Sequence, residues 1–372
     1  MGSVRMTDTI FSPAFGNKPG TLVGRDAELQ RLISCLSSRP GTKERATLIL
    51  GQRGLGKTVL LLELADYARE HQYIVASPTV VAEDMLDRIL EKLYRSGEKV
   101  LHNEKTRITG GSLSVLGFGA GIQTSSTREL RKSFASQLLD ICEEAGESGK
   151  GILILVDEVQ ANSESLKKLI IAYQEMVGEG QNIAVVFAGL PAAVSRALNE
   201  HVLTFFNRAS KMELTPISES EIVLYFEQCF EQLGVQISHR QIERSAAATE
   251  GSPYMMQLVG HYITVSASDD GLLSEAMLER ALIQARKEFI NDICGTTLSG
   301  LSERDIDFLK AMSQDEQYSA LKDISSRMGV EAAYTQKYKT RLCQAGIIEQ
   351  PRRGIVKYAV PYLREYIQKD FG

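Results

Sequence analysis

Residues 51–58 read GQRGLGKT and have the composition of a phosphate-binding loop. The spacing is G-x-x-x-x-G-K-[ST], with the apolar run 46–50 before it and a leucine-rich helical pattern after it. Gly51, Gly54 and Gly56 allow backbone conformations that a side chain would block, so the loop's N–H groups can converge on phosphate oxygens. The alternative is a glycine turn followed by a chance Lys-Thr pair, which the flanking patterns disfavour.

The two residues at the end of the octet carry the chemistry. Lys57 is expected to reach the β- and γ-phosphates, a catalytic role, and the Thr58 hydroxyl is expected to hold Mg²⁺. The sequence therefore predicts ATP and Mg²⁺ as cofactors. The predicted nucleotide-binding residues of this loop are Gly51, Gln52, Arg53, Gly54, Leu55, Gly56, Lys57, Thr58 and Val59.

A second motif, ILILVDE at 152–158, ends in two adjacent carboxylates. An apolar strand over these residues would place Asp157 at the carboxyl edge of a parallel sheet, where ligands bind. Asp157 is predicted to orient Mg²⁺ directly or through water, and Glu158 to polarise the attacking water as a general base. A strand that merely ends in a solvated acidic turn is the alternative. Hydrolysis, as distinct from binding, depends mainly on Glu158.

A third candidate is Arg208, which precedes the last predicted strand. An arginine at this point could neutralise the charge that develops on the transferred phosphoryl group. The alternative is a surface salt bridge. Whether such a finger acts in its own chain or in a neighbour stays open at this stage.

These motifs lie in a region, residues 21–216, where short strand patterns alternate with helical ones. The alternation predicts an α/β fold with a parallel sheet covered on both faces. Residues 1–20 are predicted to form an N-terminal arm punctuated by Pro and Gly, and residues 217–297 a helical lid. The predicted strands are 46–50, 73–77, 152–156, 183–188 and 211–214.

The C-terminal residues 298–372 predict three helices and two strands around a Pro-Arg-Arg-Gly turn, which is a winged-helix pattern. In the third predicted helix, 332–345, a stripe of Tyr334, Tyr338 and Leu342 is expected to pack inward.

Positive charge is concentrated on this third helix and the wing. Residues 331–357 hold six basic and two acidic residues, although the whole chain has a net charge of −5. Such a local patch could contact the phosphates of duplex DNA. Protein docking or mere structural closure is the open alternative. The candidate DNA contacts are Lys337, Arg341, Arg352 and Arg353.

A glycine-rich stretch at 105–123 predicts a β-hairpin inserted into the α/β region. It holds basic residues only at its base, so contact with another subunit or a protein partner is favoured over DNA. A hairpin folded back on its own domain is equally compatible with the sequence.

The composition is that of a globular protein, with 43% hydrophobic and 24% charged residues. The five scattered cysteines lack metal-site spacing and favour reduced thiols. No apolar run approaches the length of a membrane span. We therefore expect a cytoplasmic protein without a membrane partner.

Taken together, LVGRDAEL at 22–29, GQRGLGKT, ILILVDE, the helical lid and the winged-helix tail resemble the AAA+/STAND group of P-loop ATPases. Within that group, the chain is most similar to initiator-like ATPases related to origin-recognition proteins, as they occur in bacteria and archaea. The resemblance implies a P-loop NTPase sheet, a helical lid and a C-terminal winged-helix domain. It also implies that Val23 and Gly24 lie near the adenine, that Arg25 supports their loop, and that Pro253 belongs to a nucleotide-contacting Gly-x-Pro lid motif.

Two departures from the initiator pattern bear on turnover. The lid carries no arginine near Pro253, and the strand ending in Ala188-Gly189-Leu190 lacks the usual polar residue. Both departures favour a slow nucleotide-controlled switch over a vigorous motor.

Two hypotheses follow from the sequence. The first is a DNA-associated ATPase, in which ATP orders the lid and positions the winged helix on duplex DNA, alone or in a self-assembly. The second is a signalling ATPase whose winged helix docks on protein and holds the nucleotide domain closed.

Overall fold

The computed structural model describes residues 8, 10–13, 22–101, 132–159, 163–191, 194 and 207–371. Its centre is a five-stranded parallel sheet with the strand order β2-β3-β4-β1-β5. The strands are β1 (Ala46–Leu50), β2 (Tyr73–Val80), β3 (Gly151–Asp157), β4 (Ile183–Gly189) and β5 (Ser210–Glu213). The predicted α/β class is confirmed. Strands β1, β3 and β4 are buried along their whole length, as expected for a sheet covered on both faces.

Helices cover both faces of the sheet, and alternate strand residues enter two separate cores. In β1, Leu48 packs with one set of helices and Ile49 with the other. The first set is α3 (Met85–Gly97), α4 (Phe134–Glu147) and α5 (Glu164–Gly178), and the second is α1 (Asp26–Ser37) and α2 (Lys57–Glu70).

The lid region is helical, as predicted. Its helices are α6 (Glu219–Leu233), α7 (His239–Ala247), α8 (Pro253–Ser266) and α9 (Glu275–Phe289). Each begins after a serine whose side chain accepts a hydrogen bond from the backbone of the first turn, the usual N-terminal cap. A π-helical turn, Ile290–Cys294, and the short α10 (Gly295–Leu298) connect α9 to the C-terminal region.

The C-terminal region has the winged-helix order of helix, strand, two helices and two strands. These are α11 (Glu303–Ser313), β6 (Ser319–Ala320), α12 (Leu321–Met328), α13 (Ala332–Gln344), β7 (Ile348–Arg352) and β8 (Ile355–Tyr358), followed by α14 (Leu363–Asp370). The three strands form an antiparallel sheet, β6-β8-β7. The sequence did not predict β6 or α14.

The prediction for one residue of α13 was wrong. Tyr338 and Leu342 are buried as expected, but Tyr334 is 40% exposed. Tyr334 lies in the first turn of α13, and its ring packs only along its own helix against Tyr338, with ring centroids 4.9 Å apart. A helix that the sequence pattern predicts over 79–96 begins later, at Met85, because β2 continues to Val80 past an irregularity in its pairing.

The predicted hairpin at 105–123 lies outside the described residues, as does most of a helix predicted over 191–199.

The lid helices and the winged helix share one hydrophobic core. Phe289 and Leu298 of the lid connection are buried in the same cluster as Phe308 and Leu363 of the C-terminal region. The Tyr362 hydroxyl also donates to the Ala248 carbonyl. The winged helix is therefore packed against the lid.

Three further facts concern the cysteines, metal ions and membranes. All five cysteines are free. Within the described ranges, no group of three or more His, Cys, Asp or Glu could hold a metal ion. None of the helices in that part of the chain has the length and apolarity that a bilayer crossing requires.

Candidate nucleotide-binding site

The loop of residues 51–58 connects the carboxyl end of β1 to α2. Gly54 and Gly56 have φ angles of 79° and 81°, in the left-handed region that favours glycine. Gly56 directly precedes α2, so the amide groups of that helix's first turn face the loop. The local backbone is that of an anion-binding turn.

The Lys57 ammonium folds back into its own loop. Its Nζ donates to the carbonyl oxygens of Gly51 at 2.8 Å and Gln52 at 2.7 Å. Burial lowers the pKa of Lys57 to about 8, against the opposing pull of the Asp157 and Glu158 carboxylates. The side chain is thus a buried cation held by backbone oxygens that a phosphate could replace.

Thr58 and Asp157 meet at the carboxyl edge of the sheet. The Thr58 hydroxyl donates to Asp157 Oδ2 at 2.5 Å, and Asp157 is only 5% exposed. This hydroxyl and carboxylate pair offers the oxygen donors that Mg²⁺ prefers. The residues present therefore fit a magnesium ion.

Glu158 follows in an unusual backbone conformation. Its φ is +51°, which costs free energy in a residue with a side chain, and its amide donates to Asp157 Oδ1 at 2.8 Å. The Glu158 side chain is exposed, and its charge opposes the lowering of the Lys57 pKa, so the carboxylate lies within electrostatic reach of that ammonium.

Arg25 links the N-terminal part of the domain to the phosphate loop. It is 3% exposed, and its guanidinium donates to the carbonyls of Thr215 at 2.5 Å and Leu55 at 3.4 Å. The preceding Gly24 has φ +60°, and a Cβ there would lie 2.8 Å from Ile217 Cγ2. Val23 packs against the lid core. The three residues thus lie where the two regions meet.

A cavity of about 380 Å³ opens at this junction. It is lined by Gly24, Arg25, Asp26, Ala27, Glu28, Thr215, Pro216, Ile217 and Glu221.

The lid contacts the loop through the start of α8. A Cβ added to Gly56 would lie 3.6 Å from Pro253 Cγ, and one added to Gly54 would lie 3.6 Å from Ser252 Oγ. Just before them, the Gly251 carbonyl accepts a hydrogen bond from Ile217 at 2.9 Å. The structure thus brings Pro253 to the loop for which it was proposed.

The winged helix contacts the same loop, which sequence reasoning missed. Gly346, in the turn between α13 and β7, is buried with φ +68°. A Cβ there would overlap Gln52 Oε1 and lie 3.0 Å from Leu190 Cδ2. Gln52 Oε1 is buried, and it has no hydrogen-bond partner among the described residues. A glycine after a helix has an ordinary capping role, so nothing in the sequence distinguished Gly346.

Arg208 lies at the opposite edge of the sheet from the phosphate loop. In the parallel register, Ser210 pairs with Thr47 and Glu213 pairs with Leu50. Arg208 therefore precedes β5 at the amino edge, roughly 15 Å along the strands from the carboxyl edge. Its side chain is exposed. The position does not suit a role at the chain's own loop, and it is compatible with a role in a neighbour's site or with an ordinary surface arginine.

The four candidate DNA contacts differ in their surroundings. Lys337, Arg352 and Arg353 are exposed, and none has an ion-pair partner within the described part of the chain. Arg341 instead donates to the buried Asp305 carboxylate, with Nε 2.8 Å from Oδ1, and lies over the Tyr338 ring. Arg341 thus has a structural partner that the sequence did not indicate.

Residues 21–186 match the family described as AAA ATPase domain. A second match covers residues 291–367, to a domain of unknown function (DUF8462). No curated protein matches the chain.

Solved structures with the AAA ATPase domain's fold extend the likeness over nearly the whole chain. A Walker-type ATPase of Pyrococcus abyssi is 16% identical, with a TM-score of 0.67 over 93% of this chain and 96% of that one. The ORC2 protein of Aeropyrum pernix, in ADPNP–ADP complexes, is 14% identical, with a TM-score of 0.64 over 96% and 98%. Cdc6p from Pyrobaculum aerophilum is 16% identical, with a TM-score of 0.50 over 97% and 98%. At these identities, the likenesses show the fold.

The lowered pKa of Lys57 makes nucleotide affinity depend on pH. A polyphosphate binds the protonated ammonium of Lys57 more tightly than the neutral amine. The affinity for nucleotide is therefore highest at pH values below the pKa of Lys57 in the nucleotide-free protein, which is about 8. The dissociation constant for MgATP should rise by up to about tenfold per pH unit above that value. Titrations by calorimetry between about pH 7 and 9.5 measure it. Lys57→Arg is the control, since a guanidinium keeps its proton and should flatten the profile. A wild-type profile that stays flat would contradict the prediction.

Proposed function

We propose that the chain is a slowly hydrolysing, Mg-dependent ATPase switch, in which the nucleotide state controls how the winged helix is held. One observation carries this proposal: the lid and the winged helix both touch the phosphate loop. Pro253 lies against Gly56, and Gly346 lies against Gln52. A change in the loop conformation on nucleotide binding would therefore alter the contacts of both the lid and the winged helix.

Binding would draw on groups already in place. The loop amides and the α2 N-terminus would accept the phosphates, and Lys57 would exchange the carbonyls of Gly51 and Gln52 for phosphate oxygens. Val23, Gly24 and Arg25 would hold the nucleoside end beside the cavity at the lid junction.

Hydrolysis is assigned to the carboxyl edge of the sheet. Thr58 and Asp157 would hold Mg²⁺, which when bound neutralises phosphate charge. Glu158 would accept a proton from the attacking water. Leu190 follows β4 at the same edge, in place of a polar side chain. Slow turnover is proposed on this ground and on the lack of a lid arginine near Pro253.

The domain organisation is proposed as an arm (1–20), a nucleotide-binding domain (21–216), a lid (217–297) and a winged helix (298–372). The shared core of the last two supports their movement as one body. Arg208 is proposed to act in a neighbouring subunit if the chain self-associates, because its edge of the sheet faces away from its own loop.

The partner of the winged helix is proposed to be duplex DNA. Lys337, Arg352 and Arg353 present exposed positive charge on α13 and the wing. Arg341 contributes less, since Asp305 already engages it. A signalling role with a protein partner is the second candidate. The contact of Gly346 with the phosphate loop favours it, because a winged helix at this loop would be placed to hold the nucleotide domain closed.

Substitution of Gly346 tests the switch. In Gly346→Ala the new methyl would overlap Gln52 Oε1, so the Gln52 side chain would have to move and its present contact with the winged helix would be lost. We expect the release of a fluorescent ADP analogue, measured by stopped flow, to accelerate by about tenfold, within the usual range of allosteric coupling. Removing the clashing side chain, in Gln52→Ala with Gly346→Ala, should restore slow release.

The matched control is Gly329→Ala. Gly329 also follows a helix of the winged helix with φ +63°, but a Cβ there meets nothing within 4 Å. Both variants carry the same backbone strain, and only one carries the clash. Equal release rates in Gly346→Ala and Gly329→Ala would exclude a control of the nucleotide site by the winged helix.

Charge reversal on the wing tests the DNA partner. Arg352→Glu with Arg353→Glu should weaken duplex DNA binding and lower its salt dependence, because two phosphate contacts are lost. Fluorescence anisotropy at several salt concentrations measures both. The control, Arg39→Glu with Lys43→Glu, makes the same charge change at exposed positions of the nucleotide-binding region. If both double variants bind DNA like the wild type, the protein-docking alternative replaces the DNA one.

A further inference from the structure

The described part of the N-terminal arm is docked in the lid. Phe11 is 5% exposed, and its ring lies 5.7–6.1 Å from the rings of Tyr225, Phe226 and Phe230. Below it is Gly260 of α8, where a Cβ would overlap three carbons of the Phe11 ring. We call the space that holds the Phe11 ring the socket; it is formed by Tyr225, Phe226, Phe230 and Gly260. It exists because α8 has a glycine at this position.

Polar contacts fix the segment on either side of the ring. The Asp8 carboxylate accepts from the amides of Ile10 at 3.0 Å and Phe11 at 2.8 Å, and it contacts His261 Nδ1 at 2.7 Å. On the other side, the Ser12 amide donates to Gln257 Oε1 at 2.9 Å. The Asp8 side chain is only 4% exposed, whereas the His261 side chain is 33% exposed.

The residues of α8 that contact Phe11 and those that contact the phosphate loop lie on one face of this helix. Pro253, Gln257 and Gly260 follow one another at intervals of four and three residues in α8, which places them on one stripe. Pro253 contacts Gly56, and Gly260 lies about 10 Å further along the helix axis. A helix of this length is rigid, so what fixes its middle also fixes its first turn.

We propose that Asp8 and Phe11 are positioning residues for the nucleotide site. The lid carries a binding site for an Asp-x-x-Phe peptide, and the chain's own N-terminal segment fills it. The docked segment holds α8 so that Ser252 and Pro253 stay against the phosphate loop. The inference rests on the proposed nucleotide binding at residues 51–58.

Paired substitutions in the full chain test it from both sides of the contact. Phe11→Ala removes the ring, and Gly260→Ala fills the socket with a methyl group that the helix tolerates. Each should weaken the binding of a fluorescent MgATP analogue by about tenfold, within the range of coupling free energies. Leu224→Ala, at a 59% exposed position of the lid, is the control and should bind like the wild type.

Rescue in trans separates positioning from general damage to the lid. A synthetic peptide of residues 6–13, MTDTIFSP, should restore the affinity of Phe11→Ala but not that of Gly260→Ala. The same peptide with alanine in place of phenylalanine should restore neither. Asp8→Asn keeps the ring in its socket and should give a smaller loss of affinity, so it serves where a larger change prevents folding.

The outcomes distinguish this inference from the proposed function. A wild-type chain that binds no nucleotide overturns both. A wild type that binds, together with a Phe11→Ala variant of unchanged affinity, overturns this inference alone. Weakened binding that the peptide fails to restore also overturns it, since the loss is then structural.

Discussion

The close approach of three chain regions at the phosphate loop is the constraint on which the rest of the structure depends. Gly54 and Gly56, whose φ angles of 79° and 81° favour glycine, lie beside Ser252 and Pro253 at the start of α8. Gly346 of the winged helix leaves room for the Gln52 side chain, which a Cβ there would overlap. The winged helix thereby contacts the phosphate loop, and a common core joins it to the lid.

This arrangement explains how one small site could govern a large C-terminal body. Lys57 and Thr58 are held by groups that a magnesium nucleotide would compete for, namely two loop carbonyls and the Asp157 carboxylate. Gln52, whose carbonyl binds Lys57, also carries the side chain that faces Gly346. A movement of Lys57 away from the Gln52 carbonyl could therefore change the contact between the Gln52 side chain and Gly346. Switching would then require no long pathway through the sheet.

The sequence predicted the parts of this site that are local. GQRGLGKT and ILILVDE each carry their chemistry and their secondary-structure context within a few neighbouring residues, and the sheet brings Thr58 and Asp157 together as expected. The contacts of Gly346 with Gln52 and of Phe11 with Gly260 join residues far apart in the chain. The residues around each of them form no local sequence pattern from which the partner could be predicted. The burial of Tyr334 was wrongly predicted. Helical periodicity shows on which face of the helix a residue lies, but not how far along that face the neighbouring elements extend.

The most direct test of the account is the distance between the nucleotide-binding domain and the winged helix, measured once with MgADP and once with MgATP. Spin labels at exposed positions, Gln174→Cys in α5 and Ser326→Cys in α12, would report it by electron–electron double resonance, with Cys343→Ser to remove the least buried thiol. Glu158→Gln would keep ATP intact during the measurement. The account predicts different distance distributions with MgADP and MgATP. Superimposable distributions at saturating nucleotide would contradict it.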